Sequence, residues 1–235
     1  MHPTLDDLLN DPPLVHRGGE LVWGLHEDVL RYIDAILPPR AKTLETGCGL
    51  STALFALRSA AHTCIVPSRE EVELLRDWGK KHSITFDNVE FIVDFSQNVL
   101  PNLKREELDL VLVDGGHGFP IPALDWFYTA PMLKRGGVMV IDDVQIWTGL
   151  ELQRFLAKER AWQSTRRFTR TRAFRKIDDD HAKDWRFQPY VYGKSRLPIF
   201  RSLAASAFDL LRKGQMGTLV QKGRKALRMD QGPSD

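Results

Sequence analysis

The chain has little of what would staple, export or embed a protein. Its 235 residues include only two cysteines, Cys48 and Cys64. Two thiols make neither a disulfide framework nor a closed zinc site, and they suit a reducing compartment. No apolar run approaches the roughly 20 residues that a membrane-spanning helix requires. The opening stretch MHPTLDDLLN is acidic and lacks an apolar centre, so no signal peptide is expected there and a cytoplasmic location follows. No internal repeat and no low-complexity segment is present, which excludes a solenoid. Net charge is only +2, too small to argue for a nucleic-acid partner.

What is present is globular. Hydrophobic residues make up 43% and charged residues 27% of the chain, enough for one well-filled core. Short apolar runs at 43–44, 62–66, 89–93, 108–113 and 137–141 alternate with helical patterns at 51–60, 69–82, 121–133 and 149–160. Strands alternating with helices imply crossover connections and a parallel sheet covered on both faces. Ser68 and Glu71 have the spacing of a capping box, and Gly136-Gly137 after Lys134-Arg135 has the composition of a helix stop. Residues 21–37 carry a helical apolar stripe expected to pack at the sheet edge. His26, His62 and His82 read as structural, and Trp23 and Trp147, which flank the site in sequence and could wall an acceptor pocket, read as core aromatics.

After residue 160 the pattern changes. Residues 167–176 alternate as an antiparallel strand would, IDDDHAKD reads as a turn, and 185–192 reads as the returning strand of a terminal hairpin. The six cations in 166–176 read as a solvated strand face. Residues 194–228 hold nine Lys/Arg against one Asp. The chain therefore divides into a body, 1–193, opening with a helical segment over 1–40, and a basic helical tail, 194–235. An apolar stripe through Leu197, Phe200, Leu203 and Phe208 suits packing on the body or on a second subunit. Contact with an anionic membrane surface is the other option.

The segment TLETGCGLST, residues 43–52, joins the first strand to the first crossover helix. Glycine there lets backbone N–H groups come close to a ligand, and the helix N-terminus favours anionic groups. A dinucleotide fingerprint would continue to a third glycine near position 52, where Thr52 stands.

Four motifs in order over 40–192 resemble the class I S-adenosylmethionine-dependent methyltransferases, especially their small O-methyltransferase-like branch. LETGCGLS is similar to that family's first motif and FIVDFSQNVLPNL, 91–103, to its adenine-lining stretch. LDLVLVDGGH, 108–117, and LKRGGVMVIDDV, 133–144, are similar to its fourth- and fifth-strand motifs. The resemblance implies an α/β, Rossmann-like doubly wound, mostly parallel seven-stranded sheet closed by a C-terminal antiparallel hairpin. It implies S-adenosylmethionine as cofactor, contacted by Glu45, Gly47, Gly49, Ser51, Ser96 and Gln97, and a small-molecule acceptor. The family's acidic residue after the second strand is missing, since Pro67-Ser68 stands there.

In an open parallel sheet, ligands collect beyond the carboxyl ends of the strands. Asp114 ends the fourth strand and Asp142-Asp143 the fifth. In the resembled metal-dependent enzymes the matching positions hold a divalent cation such as Mg2+, and carboxylate oxygens suit such ions. The alternative has Asp114 orienting ligands and Asp143 capping the next helix. Methyl transfer to a hydroxyl needs a base, and His117, three residues after Asp114 among glycines, is the candidate. The expected activity is methyl transfer from S-adenosylmethionine to a hydroxyl. A catalytically inactive methyltransferase-like binding subunit remains the alternative, and a homo-oligomer stays open.

Overall fold

The computed structural model describes residues 3–20, 23–179, 184–218 and 220–221. The chain forms two compact units, residues 1–183 and 184–235.

The first unit is built on a seven-stranded sheet. Its strands are β1 (Ala41–Thr46), β2 (Ser59–Val66), β3 (Val89–Val93), β4 (Leu108–Val113), β5 (Leu133–Ile141), β6 (Trp162–Arg167) and β7 (Arg172–Lys176), in the spatial order β3-β2-β1-β4-β5-β7-β6. The first five strands run parallel, and β7 runs antiparallel to both β5 and β6. The order reverses direction between β1 and β4, and a crevice opens at such a point beyond the strand ends.

The central strands are buried on both faces, so their alternate residues feed two cores. Leu110, Leu112, Val138 and Val140 face the side of α2 (Glu27–Ile36), α3 (Leu50–Arg58) and α4 (Arg69–Lys81). Val111, Val113, Met139 and Ile141 face the side of α6 (Ile121–Thr129) and α7 (Trp147–Leu156). Two short helices complete the unit. The first, α1 (Leu5–Asn10), opens with a capping box between Thr4 and Asp7, and α5 (Ser96–Val99) follows β3. The sequence shows no clear sign of α1. The stripe over 21–37 becomes helix only from Glu27, with Trp23 to His26 outside any helix or strand ahead of it and residues 21–22 outside the described set.

Three local expectations give way. The hairpin strands are 162–167 and 172–176, joined through a turn in which Phe168 N–H donates to Thr171 O at 3.0 Å. Residues 185–192 form no strand: Trp185–Phe187 is a single 3-10 turn, and Pro189 opens α8 (Pro189–Arg212). Proline is pre-set for a first helical turn, where its missing N–H costs nothing. Secondly, Lys134, Arg135 and the two glycines lie inside β5, and α6 already ends at Thr129. Gly136, at φ +85°, sits where the β4–β5 register jumps, between the Leu108–Leu133 and Leu110–Val138 pairs.

The third correction concerns the solvated strand face. Lys176 is 1% exposed and donates from Nζ to Ala130 O at 2.9 Å and Leu133 O at 2.6 Å. Its ammonium therefore supplies the cation at the end of α6, where the helix dipole is negative, in place of Lys134 and Arg135.

In the second unit, α8 leaves Leu197, Phe200, Leu203, Phe208 and Leu211 exposed. Residues 222–235, including Gly223 and the last cations of the tail, lie outside the described residues.

One buried carboxylate ties β1, α3 and β2 together. Glu45, 1% exposed, accepts hydrogen bonds from Ser51 Oγ at 2.7 Å and Thr52 Oγ1 at 2.5 Å, and meets His62 Nε2 at 3.0 Å. His62 Nδ1 in turn meets Thr43 Oγ1 at 2.8 Å. Glu45→Ala strands these polar groups in the interior and should destabilise the fold by about 3 kcal/mol. Urea denaturation checks this, and a loss below about 1 kcal/mol would show that the network contributes little.

Candidate active site at the carboxyl ends of the strands

A cavity of about 730 Å³ lies beyond the ends of β1, β2, β4 and β5. Of the expected site residues, Gly47, Ser96, Gln97, Asp114, His117, Asp142 and Asp143 line it. Glu45, Gly49 and Ser51 are not among its lining residues. Glu45 and Ser51 bond to each other beneath the turn, and the Gly49 N–H donates to Thr52 Oγ1 at 3.0 Å. These three shape the turn from behind.

Gly47 is required by two constraints at once. Its φ is +103°, and a Cβ there would lie 2.5 Å from the Asp114 carbonyl oxygen. Only a residue without a side chain lets β1 turn this close to the end of β4.

The acidic end of the cavity is organised by the first turn of α7. Thr148 Oγ1 donates to His117 O at 2.6 Å. Gly149 lets the same turn approach Asp143, since a Cβ there would lie 2.9 Å from Asp143 O. Asp143 itself has φ +51°, a left-handed conformation that Asp tolerates better than most residues, and this turns the chain out of β5. The result is a pair: His117 Nε2 stands 3.1 Å from Asp143 Oδ2. Gln145 Nε2 donates to Asp143 Oδ1 at 2.6 Å, and Arg170 Nε lies 4.0 Å from the same oxygen.

The three aspartates differ. The Asp142 carboxylate is buried and accepts a hydrogen bond from Thr171 Oγ1 in the β6–β7 turn. Burial pushes its carboxyl upward, partly offset by Thr171, and the Asp143 charge adds to the rise. Asp114 is pushed well above the ordinary carboxylate value, first by burial and then by the charges of Asp142 and Asp143. Ligand atoms of Asp114, His117 and Asp143 lie within 4.8 Å of one another, so His117 stands in this cluster where Asp142 was expected.

The sequence did not reveal several lining residues. Arg170 reaches the cavity from the β6–β7 turn, and His16 and Glu71 reach it from the opposite flank, beside Trp23, whose alternative reading as a pocket wall is the one that fits. Trp23, 56% exposed, and Trp147, 60% exposed, are not core residues.

Behind the lining residues Thr46 and Ser96 lies Asp125, fully buried on α6. Neither of its carboxylate oxygens has a hydrogen-bond partner at normal geometry among the described residues. Burial raises its carboxyl to about 6, and the hydroxyls of Ser96 and Thr46 face it too loosely to offset more than part of that. An acid in the apolar stretch IPALDWFYT was the only sequence signal.

The fold and the crevice together define a class I, Rossmann-like methyltransferase architecture. Residues 44–144 match a family described as a methyltransferase domain. No curated protein matches the sequence. Among solved structures, the chain is similar to a putative O-methyltransferase from Klebsiella pneumoniae, with 13% identity and a TM-score of 0.61 over 76% of this chain and 91% of that one. It is also similar to the O-methyltransferase TomG from Streptomyces achromogenes, involved in tomaymycin synthesis and solved with SAM. That match has 18% identity and a TM-score of 0.59 over 71% of this chain and 87% of that one. A putative methyltransferase from Streptococcus mutans, solved with SAH, matches at 11% identity and a TM-score of 0.51 over 67% of this chain and the whole of that one.

The state of Asp125 is testable through stability. Its carboxyl titrates near 6 when folded and near 3.8 when unfolded. Its stabilising effect is therefore full below pH 4 and is lost as pH rises towards 6. Asp125→Asn should stabilise the protein at pH 7 by up to about 3 kcal/mol and bring no gain near pH 4. Denaturation midpoints of both proteins at the two pH values check this.

Proposed function

We propose that the protein transfers a methyl group from S-adenosylmethionine to the hydroxyl of a small molecule. One observation carries this. Immediately beyond the Gly47 turn, the cavity lining holds four carboxylates, Glu71, Asp114, Asp142 and Asp143, against one guanidinium, Arg170. Such a cavity favours a ligand bearing sulfonium and ammonium charges and disfavours a pyrophosphate. The raised carboxyls of Asp114 and Asp142 point the same way, since a bound cation offsets both their burial and their repulsion. Ser96 and Gln97 offer hydroxyl and amide groups to a base edge.

S-adenosylmethionine supplies a methyl group activated by its positive sulfur, and the chain's part is to place and deprotonate the acceptor. With Nε2–H donating to Asp143, the neutral His117 ring keeps its lone pair on Nδ1. The acceptor hydroxyl gives its proton to that atom. Asp143 holds the ring in this tautomer and stabilises the imidazolium that results. Thr148 and Gly149 fix the backbones of both partners. Asp114 lies beside this pair, with its ligand oxygen within 4.8 Å of theirs.

A second reading rests on the grouping of Asp114, His117 and Asp143 ligand atoms within 4.8 Å. These three would hold a divalent cation, which would lower the pKa of the acceptor hydroxyl as a Lewis acid. His117 would then be a ligand and not the base. Asp142, bonded to Thr171, would stay outside the ligand set.

S-adenosylhomocysteine should raise the melting temperature and NAD should not. The reverse pattern would overturn the proposal. With an acceptor found by screening hydroxyl compounds against labelled cofactor, His117→Gln should lower turnover by about 10²–10⁴ while leaving S-adenosylhomocysteine affinity nearly unchanged. Exhaustive chelation separates the two readings. Activity that survives it assigns His117 as base, and activity lost on chelation and restored by Mg2+ assigns it as ligand.

A further inference from the structure

The helix α8 has almost no interior of its own. It is 24 residues long, and Leu210 alone among them is buried. Phe200 and Phe208 are 67% and 69% exposed, and Leu197, Ile199, Leu203 and Leu211 are exposed with them. At about 100° per residue these six fall on one arc of about 180°. Ser195, Ser202 and Asp209 occupy the opposite side.

The charges follow the same division. Lys194, Arg201 and Arg212 line one edge of the apolar arc, within about 20° of one another. The one acid of the helix, Asp209, is engaged by Lys213 Nζ at 2.7 Å. Arg196 stands inside the arc, where a long stem can lie along apolar surface while its guanidinium reaches water. Pro198 falls on the polar side. The Lys194 carbonyl, which the missing proline N–H cannot bond, therefore lies on that side too and not where an unpaired polar group would be costly. Just ahead of the helix, Trp185 stacks on Tyr192 with centroids 6.2 Å apart, and both are partly exposed. Amphipathic rings of this kind settle at the level of lipid headgroups.

We propose that α8 lies in the plane of an anionic lipid surface, with its apolar arc against the acyl chains and Lys194, Arg201 and Arg212 among the headgroup phosphates. This does not depend on the methyl-transfer reading. Two features choose lipid over a second copy of the chain. Helices that pair through an apolar stripe carry opposite charges on its two flanks. Here an antiparallel pair would set cation against cation, and a parallel pair would set cation against serine. The arc is also wider than the seam of a helix pair, and a half-cylinder of apolar surface suits a flat boundary. The positive charge continues beyond the helix, since residues 194–228 hold nine Lys/Arg against one Asp. Negative lipid headgroups attract such a segment. No helix of the described residues is long and apolar enough to cross a membrane, so α8 lies on the surface and does not span it.

Sedimentation of the full chain with lipid vesicles tests this. The wild type should bind vesicles of mixed phosphatidylcholine and phosphatidylglycerol and stay in solution with phosphatidylcholine alone. Raising the salt should weaken the binding without abolishing it, because apolar contact is not screened. Replacing Lys194, Arg201 and Arg212 together by Gln should weaken it about 100-fold, from about fivefold per cation near the surface. Phe200→Glu with Phe208→Glu should abolish it and leave the melting temperature of the protein unchanged. Wild type that stays in solution with both kinds of vesicle overturns the proposal, and so does a Phe200/Phe208 variant that sediments like wild type. Light scattering covers the other occupants. A wild-type dimer that the Phe200/Phe208 variant turns into a monomer, without vesicle binding by either, assigns the face to a second copy and overturns the proposal. A lowered melting temperature in that variant assigns the face to the chain's own body and overturns it as well.

Discussion

Everything the crevice does depends on the buried carboxylate of Glu45. An ionisable group with almost no exposure is tolerable only when its oxygens are matched by donors. Here the partners come from two different elements, Ser51 and Thr52 on α3 and His62 on β2. Their matching fixes where α3 begins relative to β1, and so fixes the intervening turn. Gly47 can then pass within contact distance of the Asp114 carbonyl, which brings the ends of β1 and β4 side by side. The acid in the first motif thus acts from beneath the turn as its foundation.

At the other end, precision comes from α7. Its first turn touches the backbones of both His117 and Asp143, which belong to different strand ends. In the proposed reaction a base and its orienting acid are useful only if their separation is held, and a helix terminus is stiffer than either loop alone. Asp143 has a second role in this geometry, because its left-handed backbone makes the exit from β5 possible.

The alternation of apolar runs and helical patterns made the parallel sheet legible, and the four motifs made the class legible. Strand runs such as 108–113 and 89–93 carry unambiguous local signals, and the structure reproduces them. The errors fell where local pattern and tertiary context disagree. Alternation continues across 167–176, yet the chain turns at 168–171. That turn is held by a backbone bond and by the Thr171 contact to Asp142, neither of which periodicity can show. Residues 185–192 look like a strand in composition, but Pro189 starts a helix there. In the site, Gly47, Asp114, His117 and Asp143 stood out because their neighbours are glycines or strand ends. His16, Glu71, Asp125 and Arg170 did not, because each comes from a different element and only folding brings it to the cavity wall or just behind it. Glu71 was also hidden by a plausible capping box of which only half exists: Ser68 Oγ accepts the Glu71 N–H, and no return bond is made.

Lys176 has a consequence for the order in which the molecule can be assembled. The helix α6 and the start of β5 come well before it in the chain, but their carbonyl groups at Ala130 and Leu133 are satisfied by its ammonium. The strand that bears it is also inserted between β5 and β6, and does not simply extend the sheet outward. A nascent chain that has emerged only as far as β6 therefore has an open edge on β5 and unpaired acceptors beneath α6. The parallel part of the sheet can collect its apolar residues early, but the first unit closes only when residues 172–176 arrive. Until then β5 remains an exposed edge available to another chain.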